Sequence, residues 1–144
     1  MKKIAIGSDH AGFERKQSII KHLEKIGYEV KDFGAYSSES ADYPDYIHPV
    51  AEAIEKGDFK LGVILCGSAN GASMTANKHQ KIRAALSWIP EIAKLGREHN
   101  DANIVAIPAR YVNDQEAFDI VDAFLNAEFE GGRHARRADK IAIK

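Results

Sequence analysis

The apolar residues of this 144-residue chain alternate between short continuous runs and helical stripes. Continuous runs predict buried strands, whereas apolar residues that recur every three or four positions predict amphipathic helices. The pattern predicts five strands, at residues 4–6, 28–33, 61–65, 82–86 and 103–107. Helices are predicted after them, at residues 13–26, 46–54, 72–78, 89–98 and 114–126. Strands that alternate with helices through short loops indicate a doubly wound α/β sheet in a single domain, residues 1–144.

Two stretches stand out from this alternation. The run from Leu61 to Leu65 is fully apolar apart from Gly62, which is typical of a central parallel strand covered on both faces, and it ends at Cys66. Segment 130–144 begins Glu-Gly-Gly-Arg-His-Ala-Arg-Arg and shows no comparable rhythm. We therefore expect this last segment to extend from the core.

The charge balance excludes several classes of protein. The chain has 20 Lys and Arg against 21 Asp and Glu, with a net charge of −1, so neither disorder nor a broad nucleic-acid surface is predicted. The lone Cys66 cannot form an internal disulfide, and no apolar run approaches the roughly 20 residues of a membrane helix. These features predict a cytoplasmic protein without membrane or nucleic-acid partners. No cofactor is predicted, and no His, Cys or Asp spacing predicts a metal site.

Candidate chemistry lies where ligands bind in open α/β sheets, beyond the carboxyl ends of the strands. The loops after the first, third and fifth strands hold Asp9 and His10, the segment from Cys66 to Gly71, and Arg110. The small residues after Cys66 precede a helix, whose N-terminus favours an anion and a thiolate. The loop is neither a P-loop nor a dinucleotide fingerprint, so a small phosphorylated ligand is the simpler prediction. The alternative is that Cys66 only fills the core.

Two further groups of polar residues lie outside these loops. Arg133, His134, Arg136 and Arg137 form a basic cluster, which indicates either a solvated tail or a phosphate site; in a helix, Arg133 and Arg137 would share one face. His99 precedes a strand and should therefore lie on the opposite side of the sheet from Cys66. Unless the loop doubles back, His99 serves a site with Cys66 only if a second subunit supplies it, which predicts a two-fold dimer.

Several of these segments together resemble a known family. They are Gly7-Ser8-Asp9-His10-Ala11-Gly12, Asp42-Tyr43-Pro44, Cys66-Gly67-Ser68, Ala76-Asn77-Lys78, Ile82-Arg83-Ala84, Arg97-Glu98-His99-Asn100-Asp101-Ala102-Asn103 and Glu130-Gly131-Gly132-Arg133-His134. In this order, along nearly the whole chain, they are similar to the type B ribose-5-phosphate isomerases, a family that includes galactose-6-phosphate isomerase subunits. The resemblance implies a Rossmann-like fold, interconversion of ribose 5-phosphate and ribulose 5-phosphate, and a homodimer or dimer of dimers with shared sites.

The resemblance also implies roles for individual residues. Cys66 matches the base that moves the proton between C1 and C2, and His99, with Asp9 or Tyr43 nearby, matches the group that opens the furanose ring. Ser68 is suited to relay a hydroxyl proton, and amides in the loop that comprises Gly67, Ser68, Ala69, Asn70 and Gly71 are suited to stabilise an enediolate. Asn100 matches a residue that orients hydroxyls. The phosphate-binding positions are His10, Arg110, Arg133 and Arg137, with His134 as a further candidate.

One loop departs from the commonest family pattern. Many members have Cys-Gly-Thr-Gly-Ile-Gly, whereas this chain has Cys-Gly-Ser-Ala-Asn-Gly. Ala69 replaces a glycine, and a positive φ there would cost an alanine about 1–2 kcal/mol. Asn70 resembles a subgroup whose base is a glutamate slightly further along, but this chain has Ala72 and Ser73 there. Cys66 therefore stays the predicted base.

Two other functions remain open at this point. An isomerase of a six-carbon aldose phosphate, such as allose or galactose 6-phosphate, would use the same chemistry. A sensor of sugar phosphates or nucleotides on the same fold would bind its ligand without turnover.

Overall fold

The computed structural model, described here for residues 2–143, is a parallel sheet with helices on both faces. The strands are β1 (Lys2–Ser8), β2 (Tyr28–Asp32), β3 (Gly62–Cys66), β4 (Ala84–Leu86) and β5 (Ile104–Pro108). The helices are α1 (Phe13–Lys25), α2 (Tyr43–Glu55), α3 (Asn70–Ala76), α4 (Pro90–Asn100), α5 (Asp114–Asn126) and α6 (Arg133–Ala138). The predicted doubly wound, Rossmann-like fold is confirmed.

The order of the strands in the sheet is β2-β1-β3-β5-β4, and every neighbouring pair is parallel. β3 and β5 are buried along their whole lengths because each has a neighbour on both sides and helices on both faces. The direction of winding reverses between β1 and β3. In such sheets a ligand binds in the crevice outside the carboxyl ends of the strands at this reversal.

Two apolar clusters cover the two faces of the sheet. One cluster packs α1, α4 and α5 on the sheet through residues that include Leu23, Ala93 and Phe124. The other packs α2 and α3 through residues that include Val50 and Ala72. Helices therefore pack on both faces of the five-stranded sheet. None of the helices within residues 2–143 is long and apolar enough to cross a membrane.

Several boundaries differ from the predicted ones. α2 begins three residues earlier than predicted, at Tyr43, because Pro44 is tolerated in the first turn of a helix, where its missing N–H is not needed. β4 begins at Ala84 and not at Ile82, whose amide donates to the carbonyl of His79 in a turn (3.0 Å). A short 3-10 turn at residues 10–12, missed in the sequence, lies between β1 and α1.

The segment after α5 lies beside the amino ends of the strands. α6 contacts α4, and the amide of Glu130 donates to the carbonyl of Glu98 (3.0 Å). Residues 141–143 line a groove together with residues 77–83. Since α4 and α5 run back from the carboxyl ends of the strands, both helices deliver their last residues to this opposite edge.

Candidate active site

Cys66 is the last residue of the central strand β3 and lies at the carboxyl edge of the sheet. Only 5% of this residue is exposed. Its carbonyl accepts the amide of Ala109 (3.0 Å), and the carbonyl of Gly67 accepts the amide of Arg110 (3.1 Å). These bonds hold the loop after β5 against the loop after β3. A Cβ atom at Gly67 would lie 3.2 Å from Nη1 of Arg110, so the glycine lets the guanidinium approach the backbone next to Cys66.

The loop after Cys66 turns sharply into α3. Ala69 is fully buried and has a left-handed backbone, with φ of 66° and ψ of 0°. A glycine adopts this conformation without strain, whereas an alanine pays a steric cost of about 1–2 kcal/mol. Oγ of Ser68 accepts the amide of Asn70 (3.2 Å). The departure at position 69 therefore leaves the turn intact and places a strained residue in the same buried cluster as Cys66, the predicted base.

Asp9 and His10 follow β1 in the neighbouring loop. The buried Asp9 accepts the amide of Gly12 at Oδ1 (3.1 Å), and its own amide points to the carbonyl of Leu65 in β3 (3.4 Å). Nδ1 of His10 accepts the amide of Ala41 (3.0 Å). Backbone contacts from two different segments thus fix this loop beside the end of β3.

Tyr43 reaches the same edge from the first turn of α2. A Cβ atom at Gly71 would lie 2.5 Å from Cζ and 2.9 Å from Oη of Tyr43. The phenol therefore lies directly on the backbone of Gly71, and any larger residue at position 71 would displace it. Ten of the predicted site residues lie at this carboxyl edge: Asp9, His10, Tyr43, Cys66, Gly67, Ser68, Ala69, Asn70, Gly71 and Arg110.

The remaining predicted residues lie at the amino edge. His99 and Asn100 end α4, and Arg133, His134 and Arg137 belong to α6. A five-residue strand spans roughly 16 Å at about 3.3 Å per residue, and this length of sheet separates the two edges. The chain brings the carboxyl-edge residues together and the amino-edge residues together, but it does not bring the two groups to one site.

Two stacked histidines form the centre of the amino-edge group. The rings of His99 and His134 are 4.2 Å apart between centroids and differ by 6° in orientation. Oε1 of Glu130 lies 3.5 Å from Nε2 of His134 and 3.9 Å from Nε2 of His99. These three side chains bring one ligand atom each within 4.8 Å of the others, so they are the described residues best arranged to hold a metal ion. Glu130 was not among the predicted site residues, because it lies in the irregular segment before α6, where no helical spacing relates it to His134.

Burial lowers the pKa of His134, and the neighbouring charges of His99 and Arg133 lower it further, against the opposing effect of Glu130. Its side chain is 10% exposed, and among residues 2–143 its Nε2 atom has no hydrogen-bond partner. A lowered pKa favours the neutral ring, which is available as a hydrogen-bond donor or acceptor to an added group.

Arg133 and Arg137 are exposed and lie one turn apart on α6, so they share one face of the helix, as predicted. Asn100 is exposed at the end of α4, and its carbonyl accepts Nε of Arg83 (3.0 Å). Arg133 and Arg137 thus present two guanidinium groups to solvent from one face of α6, and guanidinium groups bind phosphate through charge-assisted hydrogen bonds.

The sheet reversal, the buried cysteine at a strand end and the clustered cations define an α/β protein with a site for a small anionic metabolite. Comparison with known proteins makes this more specific. The profile of the Ribose/Galactose Isomerase family matches residues 4–141, and the chain belongs to this family.

Named relatives cover almost the whole chain. Ribose-5-phosphate isomerase B of Escherichia coli is 47% identical over 98% of this chain and 95% of its own. The crystal structure of a ribose 5-phosphate isomerase from Thermotoga maritima is 48% identical, with a TM-score of 0.96 over 98% of this chain and 97% of that chain. The Mycoplasma genitalium ribose-5-phosphate isomerase B, solved with bound ribulose-5-phosphate, is 42% identical, with a TM-score of 0.91 over 96% and 93% of the two chains.

Proposed function

We propose that this chain is an aldose-ketose isomerase that interconverts ribose 5-phosphate and ribulose 5-phosphate, a reaction of the pentose phosphate pathway. The observation that carries the proposal is the position of Cys66, at the carboxyl end of a central strand beside the sheet reversal, in a chain of this family. The full-length likeness to an isomerase solved with ribulose-5-phosphate supports the choice of substrate.

The chemistry requires a single proton to move between two carbons. The Cys66 thiolate removes the proton from C2 of the open-chain aldose and returns it to C1 of the enediolate. Ser68 relays the hydroxyl proton between the two oxygens, and amides in the loop 67–71 stabilise the negative charge. No atom is gained or lost. Asp9 and Tyr43, from the neighbouring loop and from α2, hold the sugar hydroxyls.

We further propose that the site is completed by a second copy of the chain in a two-fold dimer, which can pair into a dimer of dimers. His99 would open the furanose ring, and Asn100 would orient hydroxyls. Arg133, His134 and Arg137 would then meet the phosphate together with His10 and Arg110 of the first subunit. The separation of the two groups by the length of the strands supports this arrangement, and α6 would present the cations to the partner. The free Cys66 suits the reducing cytoplasm.

The activity is tested by NMR in D₂O. Ribose 5-phosphate incubated with the protein should yield ribulose 5-phosphate, with deuterium incorporated at C1 or C2. Tight binding of ribose 5-phosphate without turnover or exchange would favour a sugar-phosphate sensor and refute the proposal.

The shared site is tested by mixing two inactive variants. Cys66→Ala and His99→Asn subunits, dissociated and reassociated together, should recover about a quarter of the wild-type activity, because half of the dimers are hybrids and each hybrid has one intact site. Each variant reassociated alone is the control. A mixture as inactive as its parents, or a fully active monomer in sedimentation, would contradict the shared site.

A second candidate is the isomerisation of a six-carbon aldose phosphate, which the family description, with its mention of galactose, favours. The extra carbon changes the distance between phosphate and C1 but not the proton transfer. Parallel measurements of kcat/KM on ribose 5-phosphate, allose 6-phosphate and galactose 6-phosphate decide between them.

A further inference from the structure

Lys16 is a fully buried cation outside the residues proposed to touch substrate. It lies in the first turns of α1 and is 0% exposed. Its Nζ atom donates to both carboxylate oxygens of Asp32, at 2.8 Å and 2.7 Å, and also to Oε1 of Gln17 (3.3 Å). All three ammonium protons therefore have an acceptor, and the ion pair joins the start of α1 to the end of the edge strand β2.

Asp32 also makes a hydrogen bond to the loop after β2. Its Oδ1 atom also accepts the amide of Gly34 (2.8 Å). The carbonyl of Gly34 in turn accepts the amide of Ser8 (2.7 Å), and the carbonyl of Ser8 accepts the amide of Ala35 (2.6 Å). A continuous chain of hydrogen bonds thus runs from Lys16 through Asp32 and Gly34 to the residue immediately before Asp9.

The ion pair holds the loop that contains Asp9 at both of its ends. Before the loop, Ser8 is bonded to the segment that Asp32 orders. After the loop, the 3-10 turn at residues 10–12 continues directly into α1, which carries Lys16. A shift of Lys16 relative to Asp32 would therefore change the spacing of the two ends and move Asp9.

Stability alone does not explain this pair. Replacing a buried ion pair by apolar side chains of similar volume is often neutral or stabilising, because two charges no longer have to be taken out of water. Here the lysine is fully buried and the Asp32 side chain is 28% exposed, so a lysine charge is still taken out of water, and the geometry that the pair specifies explains it better. The fixed distances between ammonium, carboxylate and the Gly34 amide supply that geometry here.

We propose that Lys16 and Asp32 are positioning residues for Asp9 in the isomerase reaction. This inference rests on the proposed function, and it assigns a catalytic consequence to two side chains that do not touch the substrate. Their effect reaches the sugar through the backbone of Ser8, Gly34 and Ala35.

The test replaces both charges at once. In the variant Lys16→Met/Asp32→Leu, kcat/KM for ribose 5-phosphate should fall by about 10- to 100-fold, since a displacement of about 1 Å in a catalytic group can cost 100-fold. KM should rise at least about threefold, because Asp9 holds the sugar. Inhibition by inorganic phosphate should change less than KM for the sugar does, because Arg110, Arg133 and Arg137 lie on other elements.

The matched control removes the neighbouring ion pair of the same helix. Arg15 pairs with Asp114 of α5 and makes no hydrogen bond to Ser8, Gly34 or Ala35. Arg15→Met/Asp114→Leu should keep wild-type kcat and KM. A merely structural role for Lys16 would lower the fraction of folded protein, which reduces kcat but leaves KM unchanged.

Amide hydrogen exchange gives a second readout that does not need activity. The amides of Ser8 and Ala35 should exchange at least about tenfold faster in Lys16→Met/Asp32→Leu than in the control. If that variant does not fold, Lys16→Gln/Asp32→Asn, which removes both charges but keeps polar side chains, takes its place in both measurements. Wild-type KM together with unchanged exchange at both amides would overturn the inference. A wild-type protein without isomerase activity would refute the proposed function, and the exchange measurement would still test the positioning.

Discussion

The two edges of the sheet differ in how completely they are built. At the carboxyl edge, Cys66 and Asp9 are buried, and backbone hydrogen bonds fix their loops against β3 and β5. At the amino edge, the side chains of His99 and Glu130 are 39% and 50% exposed, and Arg133 and Arg137 of α6 are exposed as well. The first edge has the rigidity that a reaction site needs, whereas the second presents its charged groups to solvent.

The comparison shows that the buried residues with reactive groups and the exposed cationic residues lie at opposite edges of the sheet. The carboxyl edge combines the Cys66 thiol with a single guanidinium, that of Arg110, whereas Arg133 and Arg137 at the amino edge lie a strand length away from that thiol. Each edge supplies what the other lacks. The proposed two-fold dimer would bring unlike edges together and use both, because the same surface would then contribute to two equivalent sites.

The largest effect is expected at the carboxyl edge. Cys66→Ala should lower kcat by about 10²- to 10⁴-fold, the usual contribution of a general base. Binding of ribose 5-phosphate, measured by calorimetry, should stay within about threefold, because the cations are untouched. Cys66→Ser is the companion variant, since it keeps the size of the side chain but not the acidity of the thiol. Retention of more than about a tenth of the wild-type rate would assign the base elsewhere.

The next largest effect is expected for KM in arginine variants, which test whether the two edges of the sheet bind the same substrate phosphate. Arg110→Ala removes a cation from the carboxyl edge, and Arg137→Ala removes one from the amino edge. Each should raise KM by about 10- to 100-fold, because a charge-assisted hydrogen bond contributes about 1.5–3 kcal/mol. Arg136→Ala, on the same short helix, is the control and should leave KM unchanged.

The double variant Arg110→Ala/Arg137→Ala sharpens this test. If both guanidinium groups bind one phosphate, their effects on KM should not multiply, with a coupling of at least about 0.5 kcal/mol. Fully independent effects would place the two arginines at separate sites and break the proposed pairing of the edges.

The two edges also differ in how far the sequence predicted them. Continuous apolar runs located β3 and β5, and the rule for strand ends then selected nine of the ten carboxyl-edge residues without a structure. The tenth, Tyr43, was expected only from the family resemblance. The stacking of His99 on His134 was not predictable in this way, because it depends on how α6 docks on α4. The buried Lys16 was missed for a similar reason. A lysine in a helix normally indicates an exposed face, and its partner Asp32 lies on a strand whose position relative to α1 the sequence does not give.

A pH-dependent network lies near the amino edge. Nδ1 of His79 lies 2.8 Å from Glu55, whose other oxygen accepts the amide of Lys81 (3.1 Å), and Nε2 of His79 lies 2.7 Å from Nδ1 of His48. Burial raises the pKa of Glu55, but the hydrogen bonds and charges of His79 and Lys81 more than offset burial and leave the pKa below its ordinary value.

Glu55→Gln should therefore lower the free energy of unfolding by about 1–2 kcal/mol at pH 7, as a lost charge-assisted hydrogen bond does. A lowered pKa stabilises the fold above the unfolded value of about 4.3, and this contribution disappears as pH falls through the folded pKa. Urea unfolding at pH 7 and near pH 3 should show the difference from wild type shrinking. Glu52→Gln, exposed on the same helix, is the control, and a difference that persists in acid would contradict the role of the charge.

The smallest effect returns to the carboxyl edge, at Ala69. Ala69→Gly relieves a left-handed backbone that costs an alanine about 1–2 kcal/mol, but it also removes a fully buried methyl group, which contributes about 0.8 kcal/mol. A glycine also gains conformational freedom in the unfolded chain, by about 0.5–1 kcal/mol. These contributions oppose one another, so the free energy of unfolding should change by less than about 1 kcal/mol, measured by urea unfolding. Ala69→Val, which keeps the positive φ but adds β-branching, should destabilise the protein by more than the glycine variant does. The strain at position 69 is then a local cost that the packed edge tolerates, because the surrounding loop and β3 fix the turn whichever small residue occupies it.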